Sequence, residues 1–347
     1  MRGIAILAIV MHNYCHWLGK MVQENEYQFF ERNVRRLMVE VAHPSWEIIA
    51  HLLSFFGHYG VPVFVFLSAY GLVMKYEKSS PVEENASSFI WKHYKKLFFM
   101  MIVGYSAYVM VDYMTPAPRR YEFWNVIGQL GMFSNLYKDP DHDIWPGPYW
   151  YFGLMVQIYI LYRLVFHPSC RFSRNKWIIG GLFAVTLLAQ LFFRPEGMTL
   201  QWYRYNVMGS LPVFIAGLIF ARYNRFNEPT RTSYVCFVIA SVALIFLFSL
   251  WFATWIIVPF LICIGTVALV KLLPQSLLKP LVWVGGISAS MFVCHPITRK
   301  VIIPISRHGD IYAGLILYLV ATIVLAMVFS RFFARSGEKR GKVIDNS

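Results

Sequence analysis

The sequence predicts an all-α polytopic membrane bundle with about ten transmembrane helices, on three grounds. The first is composition. Of 347 residues, 57% are hydrophobic, 18% aromatic and 14% charged, with mean hydropathy +0.49, whereas soluble domains carry about 25% charged residues. The second is rhythm. Apolar runs close to the ~20 residues needed to cross a hydrocarbon core recur along the chain, broken by basic or Pro/Gly/Asn-containing loops. The third is charge placement. With Met1 in the cytoplasm and spans alternating, 20 of the 32 Lys and Arg fall inside and 12 outside, while acidic residues divide 6 to 12. The net is +14 inside and zero outside, the asymmetry that the positive-inside rule requires.

The expected spans are residues 3–19, 46–74, 91–113, 147–166, 177–193, 207–223, 232–251, 253–271, 281–304 and 311–333, within a single membrane domain over 1–347. Residues 124–137 are too short and polar to cross and read as an interfacial or re-entrant element. The long connections 20–45 and 114–146 lie on the outer side. Within the first, Phe29 to Val41 has the pattern of an interfacial amphipathic helix. The pI of 9.6 reflects inner loops facing anionic lipid and needs no nucleic-acid partner. Cysteines 15, 170, 236, 263 and 294 contain no CxxC pair, which argues against a disulfide framework or a zinc site. The N-terminal run lacks a small-residue cleavage site, so an uncleaved first helix is expected. A chain start upstream of Met1 is left open.

The first helix carries the chemistry. Arg2 opens it, and His12 and His16 follow ten and fourteen residues later. At 1.5 Å per residue, His12 lies about 15 Å along the axis, near the middle of a core about 30 Å thick. Ionisable groups at that depth are costly and usually face a cavity or a bundle interior. Imidazole is also the side chain best suited to exchange protons near neutral pH. With no third ligand identifiable beside the two histidines, no metal is expected.

Three further segments stand in order behind Arg2-Gly-Ile-Ala-Ile-Leu…His12. They are Gly57-His-Tyr-Gly-Val-Pro-Val-Phe-Val-Phe-Leu-Ser68-Ala-Tyr-Gly71, Pro146-Gly-Pro-Tyr-Trp150-Tyr-Phe-Gly153…Gln157-Ile-Tyr159, and Gly285-Gly-Ile-Ser288-Ala-Ser290…His295-Pro296. In this order they resemble the bacterial integral-membrane acyltransferases of family 3, which acylate hydroxyls of sugars and surface glycans. The resemblance covers nearly the whole chain. It implies that Arg2 and His12 form the family's first-helix motif, with His12 as general base. The usual spacing has ten intervening residues and this chain has nine. At about 100° per residue, His12 is therefore rotated about 80° from Arg2, and His16 about 40°. His12 is favoured because the apolar run before it matches in register, and His16 is its rival.

The resemblance further implies a cytoplasmic acyl-coenzyme A donor, with acetyl the expected group, and a carbohydrate or glycan acceptor. Lys92, Lys95 and Lys96 would bind the donor phosphates where the family carries arginines, although positive-inside anchoring explains such a cluster equally well. Trp150, Gln157 and His295 are the acceptor-side candidates. Met155 stands where the family often has a carboxylate. The resemblance places the protein in the inner (cytoplasmic) membrane with both termini cytoplasmic, and leaves the acyl group, the modified hydroxyl and the oligomeric state open. The rivals are a polytopic transporter or exporter of a lipid or glycan, and a scaffold protein with degenerate chemistry.

The topology has a direct test. A cysteine placed at Lys138 should react with an impermeant thiol reagent added outside, and one at Lys339 should not; the reverse pattern would invert every assignment of side.

Overall fold

The computed structural model describes residues 1–79, 84–223 and 229–344. Among these residues all regular structure is helical. The first helix, α1 (Arg2–Trp17), ends where Gly19 takes the left-handed conformation, φ 84°. A tied-down loop leads to α2 (Glu31–Ala42), the amphipathic helix anticipated near residues 29–41; Asn33, Val34 and Leu37 are its buried residues. Next come α3 (Ile48–Phe56), a 3-10 turn (Gly57–Tyr59) and α4 (Gly60–Val73). With its terminal π-turn this unit forms one apolar stretch, Ile48–Lys78, of 31 residues.

The long helix α5 (Ala86–Met114) is followed by α6 (Phe123–Leu130), short and amphipathic as expected for a non-spanning element. Then follow α7 (Trp150–Leu161), α8 (Lys176–Leu188), α9 (Met198–Tyr205), α10 (Val207–Tyr223) and α11 (Arg231–Phe248). The chain finishes with α12 (Phe252–Trp255), α13 (Val258–Leu272), α14 (Gln275–Gly286), α15 (Ser288–Ser306) and α16 (Ile311–Ile344).

Among the described residues, five helical stretches are long and apolar enough to cross a membrane, and seven if each bent pair counts as one span. The bent pairs are α9–α10, at 45°, and α14–α15, at 73°. The expected number of ten is therefore not reached on length and composition. Residues Arg2–Trp17, Lys176–Phe192 and Val258–Leu272 occupy the remaining expected positions but are shorter. The bends follow from local chemistry. Asn206 interrupts the first pair with an extended backbone, and the Gly285-Gly286 pair precedes the second.

The centre of the bundle is α1, against which α3, α4, α14, α15 and α16 all pack. Such close approach needs residues without side chains. A Cβ at Gly57 would come within 2.7 Å of both the Ala8 carbonyl oxygen and the His12 Cβ. One at Gly60 would lie 2.7 Å from Ile9 Cγ1 and would also overlap the Ala5 carbonyl. The 3-10 turn thus lies directly on α1 at the level of His12. Gly57→Ala must push these backbones apart, so it should destabilise the folded protein by about 1–3 kcal/mol, read as a lowered melting temperature in detergent. An unchanged melting temperature would show that the contact yields without cost.

Candidate functional site

Four side chains from three segments converge beside the middle of α1. His12 is 6% exposed and His58 2%. The ring of His12 lies 5.4 Å from that of His16 and 5.6 Å from that of His58, centroid to centroid. His16 Nδ1 contacts Glu24 Oε2 at 2.5 Å. The His12 Nδ1 lies 2.8 Å from the Ser54 carbonyl oxygen. A carbonyl can only accept, so Nδ1 carries the proton and the lone pair of neutral His12 is left on Nε2.

The loop between α1 and α2 brings the carboxylate into place. Val22 N–H donates to His51 Nδ1 (3.1 Å), and Ser54 Oγ donates to the Val22 carbonyl (2.7 Å). Asn25 is held by Phe30 N–H and Asn33 Nδ2, and its own carbonyl accepts from Trp255 Nε1 at 2.9 Å. Arg204 Nε donates to the Glu26 carbonyl at 2.9 Å. The loop is therefore anchored at both ends of Glu24. Ser54 serves twice, since its carbonyl orients His12 and its hydroxyl holds the loop.

These groups line a small chamber of about 60 Å³, with Glu26, Tyr27, Asp141, Trp150 and Tyr205 among its walls. No Lys or Arg is among its lining residues. Burial would raise the Glu24 carboxyl, but its pairing with His16 outweighs this and holds it below the usual range. Burial pushes the Glu26 carboxyl well above that range and raises Asp141. The aromatic side is compact: Tyr27 and Tyr205 stack at 3.8 Å, and Trp150 meets Tyr205 edge-on at 4.8 Å.

A second, mostly apolar cavity of about 180 Å³ lies on the Arg2 side, lined by Arg2, Phe64, Ser68, Leu97, Met100, Met155 and Ser288 among others. Arg2 is exposed at this cavity and makes no hydrogen bond or ion pair among the described residues. The two spaces share Ile9, Val61, Tyr151 and Phe292 as lining residues. These four side chains stand where the arginine end and the histidine end adjoin, the neck of the two spaces. Lys92, Lys95 and Lys96 line a surface groove at the same end as Arg2, and Met100 borders both that groove and the larger cavity. Lys92 is 3.6 Å from Glu84, and Lys95 lies over the Trp91 ring.

The other expected site residues are placed as follows. Trp150 lines the chamber. Gln157 is engaged at the α9–α10 bend: its Nε2 donates to Asn206 Oδ1 (3.2 Å) and its Oε1 accepts from Val207 N–H (2.9 Å). His295 is fully buried on α15 beside Phe292, outside the chamber lining. Met155 faces the Arg2 cavity, so the carboxylate it replaces would have stood there and not beside the histidines. His58, Glu24, Tyr27 and Asp141 were missed as site residues. His58 was visible inside the Gly57-His-Tyr-Gly60 motif; the two loop acids had no local signal.

The sequence reading found no third metal ligand near His12 and His16, and the fold supplies Glu24. One ligand atom from each of the three lies within 4.8 Å of the others. In tetrahedral coordination with bonds near 2.1 Å, ligand atoms sit about 3.4 Å apart. In this structure His16 and Glu24 stand closer than that, at 2.5 Å, as an ion pair.

Asp141 is held by the turn 139–143. His142 Nδ1 lies 3.0 Å from Asp139 Oδ1, and Gln201 Nε2 donates to the same oxygen at 3.0 Å. The Asp139 carboxylate beside it, opposed by partial burial, pushes His142 up to about 9. A raised imidazole stabilises the fold fully below its unfolded value near 6.5 and loses that contribution as pH rises through about 9. The protection factors of the amides in 139–147, which are corrected for base-catalysed exchange, should therefore fall across that window, and His142→Ala should abolish the step. Protection factors independent of pH in the native chain would remove the ion pair as the turn's clamp.

The family model described as an acyltransferase domain, of acyltransferase family 3, matches residues 1–334. Neither a curated protein nor a solved structure matches significantly. The chain belongs to acyltransferase family 3 and is a membrane acyltransferase.

Proposed function

We propose that this protein moves a short acyl group, acetyl first among them, from cytoplasmic acyl-coenzyme A to a hydroxyl of a surface or exported carbohydrate. It would sit in the inner membrane with Arg2 and Lys92 on the cytoplasmic side. One observation carries the reading. An arginine-ended apolar cavity and an imidazole-lined chamber adjoin at a common neck along α1.

The cationic end suits the donor. Coenzyme A carries phosphates on a long, thin arm, and Lys92, Lys95, Lys96 and Arg2 offer cations along a groove leading to the larger cavity. The lysines act as point charges without the bidentate fork of arginine. The arm would lie in the apolar cavity with its thioester at the neck. Ile9, Val61, Tyr151 and Phe292 then leave room for a small acyl group only.

The acceptor would come from the side of Glu24 and Asp141. Trp150, Tyr27 and Tyr205 offer ring faces to a sugar, and the carboxyl groups offer acceptors to its hydroxyls. An acceptor bearing its own negative charge would meet carboxyls and no cation beyond the His16 already paired with Glu24, so a neutral sugar fits best. His12 Nε2 would take the hydroxyl proton as oxygen attacks the thioester, a contribution of about 10²- to 10⁴-fold. Ser68 Oγ donates to the Phe64 carbonyl (2.8 Å) and borders the other cavity, which favours direct transfer over a serine relay.

The test is mass spectrometry of surface glycans from cells with and without the gene, followed by single substitutions. His12→Ala should lose the acyl mass and at least 100-fold in transfer rate while inserting normally. His16→Ala should keep measurable activity, because its Nδ1 is committed to Glu24. Near wild-type transfer by His12→Ala with an inactive His16→Ala would move the base to the His16–Glu24 pair. Activity in both would end the histidine-base mechanism on α1.

A further inference from the structure

We propose that His58 is a second catalytic imidazole, donating a hydrogen bond to the thioester carbonyl oxygen as negative charge develops on it. This rests on the acyl-transfer reading above and adds to it the group that stabilises the transition state.

Three independent observations converge on this residue. His58 is 2% exposed, yet neither of its ring nitrogens makes a hydrogen bond. The Phe55 carbonyl approaches the ring without meeting hydrogen-bond geometry. Buried polar groups in native proteins are nearly always paired, and each exception calls for a reason, a catalytic role among them. Second, the ring borders the chamber and stands 5.6 Å from the His12 ring at an interplanar angle of 68°. A reacting centre in the chamber that both rings border can meet Nε2 of one and an N–H of the other. Third, this juxtaposition is built by packing. Gly57 and Gly60 flank the turn that carries His58 and allow it to lie on α1 at His12 and Ile9.

The chemistry balances as follows. The acceptor oxygen forms a bond to the thioester carbon while its proton passes to His12 Nε2. The carbonyl π pair moves onto oxygen, where the His58 N–H donates to it. Collapse re-forms the carbonyl and breaks the carbon–sulfur bond, and the thiolate takes the proton from His12. A neutral imidazole carries one N–H in either tautomer, so His58 can donate whichever nitrogen is protonated. Removing one preorganised donor to an oxyanion costs about 10²- to 10³-fold in kcat.

The experiment compares wild type, His58→Ala and His58→Gln, each purified in detergent with its melting temperature measured, using acetyl-coenzyme A and the native glycan acceptor. His58→Ala should lower kcat at least 100-fold and leave both KM values within about threefold, and His58→Gln should recover part of the loss through its amide N–H. A second readout uses the inert His12→Ala protein with carbonyl-labelled acetyl-coenzyme A. Its infrared carbonyl band should shift to lower frequency on binding, and the shift should vanish in the His12→Ala, His58→Ala double variant. Wild-type-like kcat in His58→Ala, a loss confined to acceptor KM, or a band indifferent to His58 would each overturn the proposal. Those results would leave the acyl-transfer reading standing, whereas absence of transfer by the wild type would refute that reading itself. If His58→Ala does not fold, the glutamine variant and its band position decide the matter.

Discussion

Backbone-to-backbone contact between α1 and the turn before α4 is the constraint on which the rest of this structure depends. Polar side chains at membrane depth need protein on every side, and α1 carries His12 and Asn13 there, both 9% exposed or less. Their needs are met by a neighbouring backbone, by α1 itself and by a side chain of α15. His12 Nδ1 reaches the Ser54 carbonyl, Asn13 Nδ2 reaches the Ile9 carbonyl, and Asn13 Oδ1 accepts from Arg299, which also covers the Trp17 ring at 4.7 Å. Gly3 performs for α14 what Gly57 and Gly60 perform for the turn, since a Cβ there would overlap the Leu281 carbonyl. A bundle packed by side chains alone would hold these helices farther apart and leave the imidazoles facing lipid.

Once α1 is enclosed, the loops supply what helices in lipid cannot. Glu24, Glu26 and Asp141 all come from segments outside the spans, where carboxyls need not be buried during insertion. Hydrogen bonds to α3, α9 and the Trp255 indole fix the loop that carries Glu24 and Glu26, and Gln201 of α9 holds the turn that carries Asp141. The chamber thereby gains polar groups without an excess of charge: one carboxylate is matched by His16, and burial pushes the other two carboxyls upward. Closer to the surface, a different solution serves Asp112. It is fully buried on α5 but meets Lys300 at 2.7 Å and accepts from Tyr121 and Arg119. The two arrangements differ in purpose, one satisfied internally and the other leaving His58 unpaired.

Much of this was legible along the chain, and the part that was not has a physical reason. Apolar runs are a local signal, so the predicted 147–166 matches Gly147–Phe166 and the predicted 311–333 matches Ile311–Ala334 to within a residue. The amphipathic α2 and the non-spanning α6 were readable for the same reason. The α9–α10 and α14–α15 bends were not, because Asn206 and the Gly285-Gly286 pair permit a break that only partners fix, as Gln157 holds the chain at Asn206 from another helix. Glu24 and Asp141 were invisible as site residues, since acids in solvated loops are common and only tertiary structure aims two of them at α1. His58 lay in a quoted motif, yet a histidine next to glycines says nothing of its neighbours until Gly57 is seen against His12.

The unusual spacing of Arg2 and His12 becomes intelligible in this geometry. If both side chains had to face one cavity, a rotation of about 80° would be damaging. They do not: Arg2 lines the larger cavity and His12 the smaller chamber, and the two spaces adjoin through residues drawn from α1, α4, α7 and α15. What must be conserved along α1 is then the separation between the two ends and not a common face. The rise of about 1.5 Å per residue changes little on losing one residue, whereas the angular offset is absorbed because the neck residues come from three other helices. His16, closer in angle to Arg2 but a turn further along, is already paired with Glu24. Angular register alone ranks His16 first, whereas the ion pair of His16 with Glu24 and the lone pair left on His12 Nε2 favour the base proposed above.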